Sequence, residues 1–462
     1  ARGRYRTGPE ADRLLDAPSR QEPLPGRDLR LTIDMELEQS VQRAMRAHVS
    51  GAIVVVDVRT GRLLALYSKP DFDPNDLAGG SGKDRIREAF GKLATDPLRP
   101  MLDKTMSGVF HPGSTFKPFS ALAALEDKIL SPFDKERCDG YLSFGRRIFR
   151  CAHVHGRVDM REALAESCNI YFYKLAESVG MDRIARIATE FGLGQKTGIG
   201  VNPDALRYKG QFRIGFTLNT SIGQGATTVT PLQLALAYAA LGNGGTVFSP
   251  QLVRAVETSD GSVVQDFPPR VRQKAKIAPE NLARISDALY AVVNEDKGTA
   301  YPVRDRTLEV AGKTGTAQTG YVNPGTDDPK KAWYLSRDHA WFAAYSPAKA
   351  PEIAVVVLVE HGGSGPTVAA PIAMQVIKEY HRLAAARASK LAGSNAKKPD
   401  PKDAKDSKDS AGKRPPAPQP AGDSDPSPRD PPPPDPNGLP SWLSDPNDEP
   451  ASEPVDEPRD EP

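Results

Sequence analysis

The segment Pro112-Gly113-Ser114-Thr115-Phe116-Lys117-Pro118 directly precedes an apolar run from Phe119 to Leu130. Proline is accepted only in the first turn of a helix, where backbone N–H groups lack partners, so Pro118 sets the helix start close to Ser114. Backbone donors and the helix dipole there favour negative charge developing at the serine. Lys117, three residues on, lies on the same helical face and within reach of the hydroxyl. A serine needs a base to be nucleophilic near neutral pH. A neutral lysine serves if desolvation or a second cation brings its pKa well below the ordinary value of about 10.4. The Ser-x-x-Lys spacing recurs at Ser346, Ser394 and Ser410, so spacing alone selects nothing. Only Ser114 has the helix-start context.

A second group is Glu166-Ser167-Cys168-Asn169, between the helical stretches Met160 to Ala165 and Ile170 to Val179. A hydroxyl and an amide two residues apart point the same way from an extended loop. Ser167 could relay a proton between a leaving group and Lys117, and Asn169 could hold a substrate amide; the bland alternative is a helix cap. Lys-Thr-Gly occurs twice. Lys196-Thr197-Gly198 lies in a glycine-rich turn, whereas Lys313-Thr314-Gly315-Thr316-Ala317 follows the strand-like Leu308 to Ala311, and we take the second. On an edge strand beside the helix start, Lys313 would supply the cation that depresses Lys117 and binds a carboxylate. Gly315 would let a substrate backbone approach, and the N–H groups of Thr316 and Ser114 could form an oxyanion hole.

The elements that must position these groups are legible in outline. Leu31 to Asp34 reads as a short strand or cap leading into a helix through about Val49, with Leu37, Val41, Ala44, Met45 and Val49 at helical spacing. Ala52 to Val58 and Leu63 to Ser68 are β-rich runs joined by Arg59-Thr60-Gly61-Arg62, a hairpin signal. Residues 114 to 240 are helical in pattern, interrupted by a loop region bearing Cys and His. Leu308 to Ala311, Ala340 to Tyr345 and Glu352 to Val359 give three further strands, and Ala369 to Ala385 a closing helix. Strands early and late with helices between them imply an α/β fold: a central antiparallel sheet of about five strands, flanked by helices, with a large helical subdomain.

Composition marks the ends. The chain has 462 residues and 43 prolines, roughly twice ordinary usage of about 5%. Nineteen of these lie after Ser394, in a stretch almost free of Leu, Ile, Val and Phe, which cannot offset its ordering entropy by burial. Residues 389–462 are therefore expected to be a disordered tail rich in Pro, Lys and Asp, residues 29–388 the folded domain, and residues 1–28 an N-terminal stub. The last 68 residues carry 9 basic and 16 acidic side chains, so the net charge of +2 hides a folded part near +9. No aromatic residues interleave that surplus, which argues against nucleic acid as a partner. The longest apolar runs, Leu234 to Leu241 and Ile353 to Val359, fall far short of the ~18 residues that would span a bilayer.

Ser-x-x-Lys, Ser-x-Asn and Lys-Thr-Gly in this order form a signature of penicillin-binding proteins and class A β-lactamases. Over about residues 26 to 380 the chain resembles a penicillin-binding transpeptidase. Further segments carry the likeness: Gly26 to Asp34, Asp71-Phe72-Asp73-Pro74-Asn75, Ser221 to Gly225 with Thr230-Pro231, Gly298-Thr299-Ala300, and His339-Ala-Trp-Phe342. Together these are similar to class B enzymes of the cell-elongation type. The resemblance implies the penicillin-binding/β-lactamase-like serine acyltransferase fold and cross-linking of peptidoglycan stem peptides, without an organic cofactor. Ser114 would attack a D-Ala-D-Ala bond and β-lactams would acylate it. By resemblance Lys117 is the base, Ser167 the proton relay, and Asn169, Lys313, Thr314 and Thr316 substrate contacts. The same likeness implies a membrane glycosyltransferase partner, and a place on the periplasmic face of the inner membrane through an anchor preceding Ala1. The alternatives are a carboxypeptidase or endopeptidase using water, or a β-lactam sensor without turnover. The segment Gly200 to Phe216 looks shortened relative to the family pattern.

Cys138, Cys151 and Cys168 are the only cysteines, with His155 among them. Three thiolates and an imidazole suit tetrahedral zinc, although the spacing is not that of a zinc finger. Some elongation-type relatives are similar, with zinc in this region and carboxylates where this chain has Cys138 and Cys151. The Cys151 to His155 loop looks shorter here, which makes His153 a rival ligand. One disulfide with a spare thiol, or three ordinary buried cysteines, are the alternatives. As the middle residue of Ser167-Cys168-Asn169, Cys168 should point away from substrate and tie that loop to the metal.

Overall fold

Alternation decides how the chain layers. In a computed structural model, which describes residues 26–199, 214–225, 227–319 and 328–395, five strands form one sheet: β1 (Gly51–Asp57), β2 (Leu63–Lys69), β3 (Ala311–Ala317), β4 (His339–Ser346) and β5 (Ile353–Val359). Their order is β3-β4-β5-β1-β2, antiparallel throughout. Strands β1 and β5 lie in the interior of the sheet and are covered on both faces, which is why they read as unbroken Val and Ile. With a side-chain period of two, Val54, Val56, Val356, Leu358 and Trp341 enter one core together with Phe119, Leu122 and Leu234. Ile53, Val55, Val355, Val357 and Phe342 enter a second core with Leu37, Val41 and Ile377.

Seven helices bear on the site: α1 (Met35–Ala44), α2 (Lys117–Glu126), α3 (Met160–Ala165), α4 (Asn169–Val179), α5 (Pro231–Gly242), α6 (Pro279–Asn294) and α7 (Ala370–Asn395). The Asp34 carboxylate caps α1 by accepting from the N–H groups of Glu36 and Leu37. This satisfies orphan donors at the helix start. Helices α1 and α7 pack together over the second core, and Arg387 of α7 pairs with Asp34 and Glu36. The helical block containing α2 to α6 covers the first core.

The sheet of about five antiparallel strands is observed, with three local corrections. The third strand is Ala311–Ala317 rather than Leu308 to Ala311, and it is the edge strand expected to carry Lys313. Glycine and threonine carry no apolar alternation, and pairing with β4 supplies what propensity does not. The Cys and His region holds a hairpin, Tyr141–Phe144 with Arg147–Arg150, enclosed by an antiparallel pair, Glu136–Cys138 with Gly156–Val158, strands too short to leave a period. The closing helix reaches Asn395, ten residues past Ala385 and into the segment read as tail. The rest of that tail, residues 1–25 of the stub and residues 200–213 of the shortened segment lie outside the described residues.

Candidate active site

Residues Gly113–Phe116 form one 3-10 turn that runs directly into α2, and Pro118 falls in its first turn. Ser114 therefore sits at a helix start, as Pro118 requires. Two buried contacts hold the turn from behind: the Tyr238 hydroxyl of α5 donates to the Thr115 carbonyl at 2.8 Å, and Ser120 donates to the Ser221 carbonyl at 2.9 Å. Neither contact has a local signal in the sequence. Gly113, at φ +55°, lies so close to β3 that a Cβ would stand 2.8 Å from the Thr316 carbonyl. A Cβ on Gly315 would stand 2.9 Å from the Pro112 carbonyl. The Ser114 turn and the edge strand thus meet backbone to backbone, a contact only glycine permits.

Lys117 and Lys313 are both fully buried. The Lys117 ammonium donates to the Ser167 carbonyl at 2.6 Å, to Ser167 Oγ at 3.2 Å and to Asn169 Oδ1 at 2.8 Å. These three acceptors match its three donors. Ser167 turns both oxygens onto Lys117 by adopting φ +60°, a left-handed conformation uncommon for a side-chain-bearing residue. Burial lowers the Lys117 pKa to about 8, while negative charge on the nearby cysteine pair acts in the opposite sense. Lys313 is also pushed well down, by burial first and by repulsion from Lys117 second. Of the two causes expected from the sequence, desolvation or a second cation, desolvation is thus the principal one for Lys117, and Lys313 is not among its causes. No described residue hydrogen-bonds Ser114 Oγ, since the Lys117 donors point to Ser167 and Asn169. Asn169 also donates from Nδ2 to the Arg150 carbonyl at 3.2 Å, which ties it to the Tyr141–Arg150 hairpin.

Thr314 and Thr316 alternate with Lys313 and Gly315 along β3, so the two threonines share a face. The Gly365 N–H donates to Thr316 Oγ1 at 3.2 Å. Lys196-Thr197-Gly198, the other Lys-Thr-Gly, lies in a turn after the helix Met181–Glu190 and belongs to no strand.

The donor atoms of Cys138, Cys151, His155 and Cys168 all lie within 4.8 Å of one another. None of the three cysteines is in a disulfide. His155 Nδ1 is 3.5 Å from both Cys138 Sγ and Cys151 Sγ, whereas His153 offers Cys138 its backbone carbonyl and its ring stands outside the group. The thiolate settles on Cys151, pulled down by the hydrogen bond from Cys168, and that same bond pushes Cys168 up. The Cys151 bond raises His155 to about 9. Cys168 points into this cluster while its neighbours face Lys117. The Asn169 N–H donates to Cys151 Sγ at 3.1 Å, a direct link from cluster to site.

Residues 51–378 match the family described as the penicillin binding protein transpeptidase domain. The chain belongs to this family. It is 33% identical over 380 residues to the peptidoglycan D,D-transpeptidase MrdA of Haemophilus influenzae, covering 77% of this chain and 56% of that protein. It thus spans about half the length of the curated relatives it matches. Among solved structures, penicillin-binding protein A from M. tuberculosis as a penicillin G acyl-enzyme is 27% identical, with a TM-score of 0.67. The alignment covers 80% of this chain and 83% of that one. PBP2 from Helicobacter pylori, solved in complex with MreC, is 28% identical with a TM-score of 0.64, covering 76% and 64%. In this transpeptidase domain the three motifs come together where the Ser114 turn, the Ser167 loop and β3 meet.

Proposed function

We propose that the chain catalyses peptidoglycan D,D-transpeptidation through a Ser114 acyl-enzyme. The observation that carries this reading is Lys117: a fully buried lysine one helical turn from Ser114, with its pKa brought to about 8 and its nitrogen held between Ser167 and Asn169. Once neutral, the amine keeps two N–H donors for the short bonds to the Ser167 carbonyl and Asn169 Oδ1. Its lone pair is then available as a base. Ser114 Oγ attacks the carbonyl carbon between the two D-Ala residues of a stem peptide as its proton passes to Lys117. The C–N bond breaks, Ser167 passes that proton to the departing D-Ala amine, and an ester to Ser114 remains. An amine of a second stem attacks the ester, forming the new peptide bond and returning the proton to Ser114. Thr314, Thr316 and Lys313 receive the terminal carboxylate of the donor, and the N–H groups of Ser114 and Thr316 receive the oxyanion. β-Lactams are acyl donors to the same serine.

Zinc fits the four-residue cluster by donor chemistry and spacing, and Cys138, Cys151, His155 and Cys168 would hold it. Bound there, it would neutralise the thiolates and cross-link the loop that carries Ser167 and Asn169. The likeness to PBP2 of H. pylori, solved in complex with MreC, supports a partner in the elongation machinery; a place at the periplasmic face of the membrane and a glycosyltransferase as working partner rest on the motif resemblance alone. No helix among the described residues is long and apolar enough to cross a membrane.

Two measurements test the reading. Fluorescent penicillin should label the protein covalently, and Ser114→Ala should abolish the label. With a stem-peptide donor and an added amine, cross-linked product supports transfer; free D-Ala alone assigns hydrolysis, and no product assigns a sensor.

A further inference from the structure

Thr299 lies between two of the three motif-bearing elements. Its N–H donates to the Ala165 carbonyl at 3.2 Å, at the end of α3 just before Glu166-Ser167. Its hydroxyl meets the Thr314 hydroxyl of β3 at 2.7 Å. The approach is fixed from below by Gly298. A Cβ there would stand 2.3 Å from the carbonyls of Ala291 and Val292, so the chain crosses the end of α6 at closest range. The Ala300 N–H donates to the Val292 carbonyl at 2.9 Å and completes the anchorage.

The two hydroxyls share one hydrogen bond, and each has a single proton. If Thr314 donates to Thr299, its proton is spent and it offers an incoming anion only lone pairs. If Thr299 donates to Thr314, the Thr314 proton is free to point at a ligand. A carboxylate accepts only, so binding one selects the second arrangement. The neighbouring threonine shows the same pattern: the Gly365 N–H donates to Thr316 Oγ1, so the Thr316 proton is not spent on that bond. Thr314 and Thr316 sit two residues apart on one face, roughly 7 Å along the strand. One carboxylate can bridge that distance through a hydrogen bond to each hydroxyl.

We propose that Thr299 is a positioning residue: its hydroxyl donates to Thr314 and thereby fixes Thr314 as a donor to the substrate's terminal carboxylate, as the Gly365 N–H does for Thr316. The inference rests on the reading of Ser114 as the site of acylation and deepens it by setting how the carboxylate is recognised. Thr299 bonds Ala165 and Thr314 and neither Ser114 nor Lys117, so its effect should appear in carboxylate recognition and not in the chemistry at Ser114.

The test compares acylation rates for a penicillin and its methyl ester in the wild type, Thr299→Val and Thr299→Ser. Valine keeps the shape and removes the donor. A charge-assisted hydrogen bond lost at Thr314 should slow acylation by the free acid roughly tenfold or more. Acylation by the ester, which carries no full charge, should change little, and Thr299→Ser should restore the acid rate. Melting temperatures show that each variant is folded. Equal losses for acid and ester, no loss for either, or failure of serine to rescue would overturn the proposal. Failure of the parent reading looks different: Ser114→Ala would still be labelled, or Thr314→Val would leave the acid rate unchanged.

Discussion

At the scale of single residues, the chemistry turns on where the proton of Lys117 sits. An ordinary lysine is almost wholly charged at pH 7, whereas one with a pKa near 8 is neutral in roughly one molecule in ten. The neutral amine is the base, and its fraction grows as pH rises through the pKa. Acylation by a β-lactam should therefore climb between pH 6 and 8 and level off above about pH 9, measured by stopped-flow with spontaneous hydrolysis subtracted. A flat profile, or a midpoint near 10, would remove Lys117 from the role of base. The cause of the shift is burial, and the second ammonium, Lys313, is itself held down by burial and by Lys117.

At the scale of elements, the site depends on glycine contacts and on the cysteine cluster. Gly113→Ala puts a Cβ 2.8 Å from the Thr316 carbonyl at a positive φ, so the Ser114 turn must move away from β3. We expect at least a tenfold loss of acylation with about 1–3 kcal/mol of lost stability, read from acylation rates and chemical denaturation. Unchanged acylation would mean that the two elements need not touch. The cluster makes a separate prediction. Purified protein should carry about one equivalent of zinc by elemental analysis, and Cys168→Ser should lower both the melting temperature and penicillin acylation. Metal-free protein with unaltered melting and acylation would exclude a metal role. Asn169 makes the coupling physical, since its N–H bonds Cys151 Sγ while its side-chain carbonyl holds Lys117.

At the scale of the whole molecule, α7 closes the domain by bringing Arg387 against Asp34 and Glu36, more than 350 residues earlier. A chain ending at residue 395 should melt and bind penicillin as the full chain does, because the described core lies wholly before it. A chain ending at residue 386 loses the Arg387 pairs and should melt lower. Equal melting of the two would show that the closing turns of α7 do not contribute. What the residues by themselves determined was local: Pro118 placed the helix start, unbroken Val and Ile placed β1 and β5, and the middle position of Cys168 turned it from Ser167 and Asn169. Tertiary structure decided the rest, because the deciding quantities are long-range. Lys313 to Thr316 form a strand only because β4 pairs with them, and Lys117 is depressed by burial that no local window contains. Thr299 reaches Thr314 only because α6 packs against β3 and brings the following chain to it.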